Sequence, residues 1–203
     1  MNPLNTVAGT IISGIVLAVL LMLATMGKHL ADPSSLTIWL HVLAGITWIG
    51  LLYYFNFVQV PALADAAKDE GGPGGAGITK YVAPRALWWF RWGAAFTWLT
   101  GAAFLYHAPQ YDIVDVFMLG TGGDTFNQAS LTIGIGAWLG TIMLFNVWVL
   151  IWPNQKKILG MVEASADQIA KAKRVAFLAS RSNTLMSIPL VMSMVGAHHG
   201  FMF

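Results

Sequence analysis

Cysteine is absent from the 203 residues, and charge is scarce: Asp, Glu, Lys and Arg make up 10% of the chain. The first absence excludes disulfides, thiolate metal sites and covalent c-type haem, whose C-x-x-C-H attachment needs two thiols. The second excludes an ordinary water-soluble domain, in which roughly 25% of residues are charged. The net charge of +2 is no argument for a nucleic acid, because the basic residues lie in loops beside apolar runs. What is abundant is apolar: 57% of residues are hydrophobic and the mean hydropathy is +0.65. A chain of this balance uses lipid as its solvent.

Five apolar runs are each close to the roughly 20 residues that cross a bilayer as a helix. They cover about 6–26, 36–60, 86–106, 131–151 and 184–203. Proline punctuates them: Pro33 precedes the second, Pro61 follows it, Pro84 precedes the third, Pro109 follows it, and Pro153 ends the fourth. Pro189 falls inside the fifth, where a kink is expected. The N-terminal run has no basic residue before Lys28 and no small-residue cleavage motif, so it reads as a first span rather than a leader. The expectation is an all-α, polytopic bundle of five transmembrane helices in one domain.

Ten of the eleven Lys and Arg residues fall on one side of that arrangement, with only Lys28 on the other. The basic side is therefore expected in the cytoplasm, with the N-terminus inside and the C-terminus outside a bacterial inner membrane. On the basic side, 68–80 is a glycine-rich flexible linker. Residues 155–180 repeat apolar positions (Ile158, Val162, Ile169, Ala176) at helical spacing among charges. They read as a cytoplasmic amphipathic helix or an extension of the fourth span.

All five histidines (His29, His41, His107, His198 and His199) land on the outer side. His41 lies more than a turn inside the second span and His198 about a turn inside the fifth. These spans are antiparallel, so both rings fall at similar depth. Ionisable groups inside membranes usually face a bundle interior or cavity, and two facing imidazoles suit the iron of haem b. His107 and His199 are substitute ligands. Gly45, one turn below His41, leaves room for a flat ring, and Trp48 on the same face offers a wall. The plain alternative for His41 is a core histidine bonded to a neighbouring helix. Copper is a second metal to consider, since Met26, Met192, Met194 and Met202 lie towards the same side. A cofactor-free accessory subunit of a larger respiratory or oxygenase complex is the structural alternative. Arg91, just inside the third span, reads as a snorkelling arginine or as part of an inner anion or quinone site.

Three stretches carry a resemblance. They are Trp39-Leu-His41 with Gly45-Ile-Thr-Trp-Ile-Gly50; Phe90-Arg-Trp92 with Thr97-Trp-Leu-Thr-Gly101; and Asn183 to Met194 ending at His198. Together they resemble the membrane domain of the membrane-bound bacterial urate oxidase (urate hydroxylase) family. The resemblance implies an integral membrane redox protein with His41 and His198 functional and, if it is an enzyme, an oxidoreductase of the urate-oxidising type. Two features depart from the family pattern. The chain contains no C-x-x-C-H, and Arg181-Ser182 stand where a histidine pair is expected. The implied role is electron transfer with a separate c-type cytochrome or a larger membrane enzyme as partner.

Overall fold

The computed structural model describes residues 2–26 and 32–200, the side chains of Met26 and His198 excepted. Every regular element among them is helical. α1 runs Val7–Met26 and α2 Pro33–Tyr53. After a π-helical turn at Tyr54–Gln59, α3 (Val60–Ala66) completes the second rod. A π turn at Ile78–Val82 leads into α4 (Ala83–His107). The short α5 (Ile113–Phe117) precedes α6 (Gln128–Phe145), which continues through a third π turn, Asn146–Ile151, into α7 (Trp152–Ile158). α8 is the long last helix, Ala166–His199.

The starts of these helices follow from side chains that satisfy orphan N–H groups. Asp32 accepts from Ser35 N ahead of Pro33, Asn127 accepts from the amides of Ala129 and Ser130, and Ser165 and Gln168 form a reciprocal capping box. Gly200, at φ 64°, closes α8 in the left-handed conformation that glycine tolerates.

Three prolines expected as boundaries are instead inside longer rods. Pro61, Pro84 and Pro153 each come two residues after a π turn. The N–H of Val60, Ala83 and Trp152 bonds the carbonyl five residues back, to Phe55, Ile78 and Val147. The wider turn tolerates a residue that lacks an N–H and whose ring would strike the carbonyl four back. The rods consequently overrun the expected spans, to Ala66 and Ile158 at one end and from Ile78 at the other. Pro189 also lies within α8, which is continuous on both sides of it.

The stretch 155–180, expected as one helix, is divided by a turn at 159–165, and its second half is the beginning of α8. Among the described residues four stretches are long and apolar enough to cross a membrane: Val7–Thr25, Pro33–Ala66, Gln128–Ile158 and Ala166–Ala197. α4 is long enough at 25 residues, but its tryptophans and arginines reduce its hydropathy.

α2 packs along α4, and α6 along α8. Gly136 brings the second pair close, since a Cβ there would meet Ser193 Oγ at 2.9 Å. Buried polar groups towards the basic end tie the α6–α7 rod to α8, and α8 to the α2–α3 rod. Asn146 donates to Asn183 Oδ1 (2.8 Å), and Asn183 donates to the Met143 carbonyl (3.0 Å). Asn56 donates to Ser180 Oγ (2.8 Å), and Tyr53 meets Ser187 at 3.0 Å. A core of Trp48, Leu52, Phe90, Met143 and Val147 fills the space between them. α1 stands apart, with no residue of Val7–Thr25 buried, its first half beside Arg85, Trp88 and Trp89.

The acidic connection between α4 and α6 is ordered by its own side chains. Asp112 caps α5, Asp115 accepts from Gly122 N (2.8 Å), and Trp138 donates to the Phe117 carbonyl. Val116 is fully buried against Phe104, Leu105 and Ile133, so α5 lies over the C-terminal end of α4 and the N-terminal end of α6.

Candidate functional site

The half of the bundle away from Asn56 and Ser180 is open at its centre. A cavity of about 430 Å³ occupies it, bounded by α2, α4, α6 and α8, with Phe117 of α5 at its edge. This volume is within the range of small-molecule and cofactor pockets, roughly 300–1,000 Å³. The walls are almost wholly apolar: Ile38, Ile49, Phe104, Leu105, Ile133, Ala137, Leu190 and Met194 supply most of them. The α4–α6 side is closed by Trp98, whose Nε1 donates to Thr141 Oγ1 at 2.9 Å. Val42 of α2 and Val191 and Val195 of α8 line the cavity while remaining exposed on the bundle surface. That side therefore faces the surrounding medium between α2 and α8.

His41 is the principal polar group in this space. Its Nδ1 is 2.7 Å from the Thr97 carbonyl of α4. A carbonyl only accepts, so Nδ1 carries the proton and the neutral ring has its lone pair on Nε2. Nε2 has no hydrogen-bond partner among the described residues. A ring that gives one N–H to a backbone carbonyl and keeps the other nitrogen free is the form in which histidine binds a metal.

The backbone of α4 is shaped to receive the ring. A Cβ on Gly101 would lie 2.9 Å from both Cε1 and Nδ1 of His41, closer than real side chains approach. Glycine at that position allows the imidazole to lie against the helix. Gly45 is different: a Cβ there would make only an ordinary contact, 3.7 Å from Thr97 Cγ2. It lines the cavity without crowding it. Trp48 forms a wall at 2% exposure, and its buried Nε1–H has no hydrogen-bond partner among the described residues. An unsatisfied buried donor costs roughly 1–3 kcal/mol, a cost that a ligand acceptor would relieve.

The expected site residues therefore separate. His41, Gly45 and Trp48 come together at one cavity, and His199, at the end of α8, lines it with them. The His198 side chain is outside the described residues, although its backbone belongs to the same last turn of α8. His107 is not brought in: it is exposed, with its ring edge-on to Tyr106. His29 and Met202 also lie outside the described residues. Met194 lines the cavity, whereas Met192 is exposed. Among the described residues no three His, Asp or Glu side chains converge.

Thr97 and Gly101 are the functional positions that histidine placement alone does not reveal. Their i, i+4 spacing puts both on one face of α4, which offers a carbonyl and a gap to His41. Arg181 and Ser182, in the place of the expected histidine pair, are exposed near the middle of α8, about 25 Å from His199 at 1.5 Å per residue.

Comparison with known proteins bears on the second half of the chain. The family model described as Urate oxidase N-terminal matches residues 113–203, just under half of the sequence. The matched part runs from α5 through α8 and includes His198 and His199, but not His41, Thr97 or Gly101. No curated protein and no solved structure matches the chain.

Proposed function

We propose that this chain is an integral membrane protein that binds haem b in the cavity and acts in electron transfer, in a setting related to urate oxidases. The observation that carries the proposal is the His41 ring, with its Nδ1–H held by the Thr97 carbonyl and its Nε2 unpartnered beside an apolar cavity. Haem iron takes one or two ligands from the protein because the porphyrin occupies the other positions. His41 supplies one, and the α8 terminus, with His199 on the cavity and His198 beside it, supplies the other. A flat apolar macrocycle suits walls made of Ile, Leu, Phe and Met side chains.

In this reading five helices cross the bilayer, α4 among them. The N-terminus is cytoplasmic and the cavity is at the outer, periplasmic side. The haem supplies a one-electron carrier. The protein's own contributions are distinct. Thr97 fixes the tautomer and orientation of His41, and Gly101 provides the space for its ring. The apolar walls exclude water from the iron ligands, and Trp48 offers a single N–H donor at the wall. The match to Urate oxidase N-terminal supports an oxidoreductase context for the second half of the chain. We place electron exchange with a c-type cytochrome or a larger membrane enzyme at the outer face, near the ends of α2 and α8.

The test is titration of the purified, haem-free protein in detergent with haem b, followed by tryptophan fluorescence. Trp48 and Trp98 line the cavity, so quenching that saturates at one haem per chain is expected. Quenching that rises without saturation, as for partition into the micelle, would overturn the proposal.

A further inference from the structure

A second site lies at the basic end of the bundle. Arg91 of α4 places its guanidinium carbon 3.5 Å from the ring centroid of Trp152, and Lys156 Nζ is 5.8 Å from the same centroid. Two cations thus gather around one indole. Neither has a carboxylate partner among the described residues. Among the described residues the only acceptor of Arg91 is the Leu87 carbonyl at 3.3 Å, and its buried Nε has no partner there. Like charges held together repel one another, and attraction to a ring quadrupole is worth only about 0.5–2 kcal/mol. The arrangement lacks an anion.

The surroundings indicate which anion. Trp88, Trp89 and Trp92 are 40–48% exposed on the same two turns of α4, and such rings sit at the headgroup level of a bilayer. The Trp92 ring packs edge-on against Trp148 of the neighbouring rod, and Val149 beside it is half-exposed. A bound molecule here would meet two cations at one end and an apolar helix surface at the other. We infer that Arg91, Lys156 and Trp152 form a binding site for the phosphodiester headgroup of an anionic phospholipid, with its acyl chains along α4 and the α6–α7 rod. Arg91 is then neither a lone snorkelling side chain nor part of the haem site. The inference rests on the membrane part of the proposed function and is independent of haem.

The experiment places the full chain in lipid discs of phosphatidylcholine with and without phosphatidylglycerol. Thermal unfolding is measured in each, and retained lipid is measured by native mass spectrometry. The wild type is expected to unfold at a higher temperature with phosphatidylglycerol and to retain it. Lys156→Gln, which leaves the Arg91–Trp152 stack intact, should bind that lipid roughly fivefold more weakly, the effect of one basic residue near an anionic surface. Arg91→Gln should lose most of the shift. Lys173→Gln, exposed on α8, should keep it. Equal stability in both lipids would overturn the site. So would an equal loss in Lys173→Gln, which would show diffuse surface attraction, or the same shift from inorganic phosphate in phosphatidylcholine discs, which would show a free-anion site. A chain that fails to enter the discs would overturn the membrane reading and this site together. Discs without haem that still show the shift support the site by itself.

Discussion

His41→Ala is expected to abolish haem binding, whereas His199→Ala and His198→Ala should each alter the ligation with the haem still bound. The asymmetry follows from how the ligands are held. His41 is fixed by a 2.7 Å bond to the Thr97 carbonyl and by contact with Gly101, so its lone pair is preorganised. His198 and His199 are neighbours in the last turn of α8, just ahead of the left-handed Gly200, where a helix end can adjust. Losing one of that pair leaves the other within a residue's reach. The measurement is haem content per chain together with the optical spectrum of each variant. Normal haem content in His41→Ala would place the ligands elsewhere. The alanine also leaves the Thr97 carbonyl without its imidazole donor, but a carbonyl in a helix retains other acceptor geometry, so a folded variant is expected.

The second large effect is expected at a residue with no side chain. Gly101→Ala places a methyl 2.9 Å from Nδ1 and Cε1 of His41. Overpacking of this kind costs about 1–3 kcal/mol, more than the roughly 0.8–1 kcal/mol that alanine gains over glycine in a helix. The imidazole is therefore displaced, its bond to Thr97 weakens, and haem affinity falls with it. Gly45→Ala is the contrast, because its methyl meets Thr97 only at 3.7 Å. In the haem-free protein it should be neutral or stabilising. Thermal unfolding and ¹⁵N spectra of labelled histidine report both outcomes. The wild type and Gly45→Ala should show a protonated Nδ1 at His41, and Gly101→Ala should lose that signature. Equal behaviour of the two glycine variants would contradict the packing at α4.

Hydrophobic run length was enough to place the long helices, because in lipid a stretch such as 6–26 satisfies all its backbone groups within one segment only as a helix. The ends were harder to read. Proline at 61, 84 and 153 looks like a boundary when the only alternative considered is an α-helix, and the π turns before them remove that restriction. The bond between Asn146 and Asn183 was legible only as two polar residues in apolar runs. Their partners depend on how α6 and α8 lie together. At the site, His41, Gly45 and Trp48 shared a helical face in the sequence and share a cavity in the fold. His107, a substitute ligand by its place at the end of the third span, is exposed on α4 against Tyr106. Thr97 and Gly101 were visible only as part of a resemblance, since a carbonyl and a missing Cβ leave no mark in composition.

The central claim is that a haem b is held between His41 and the end of α8. It is tested most directly by the optical spectrum of the wild-type protein, purified from membranes, before and after reduction with dithionite. The account predicts a Soret band that shifts on reduction, narrow low-spin bands in the visible region, and haem that extracts into acidified acetone because no cysteine tethers it. A protein with no Soret band and no extractable haem, or one carrying copper in its place, would contradict the account.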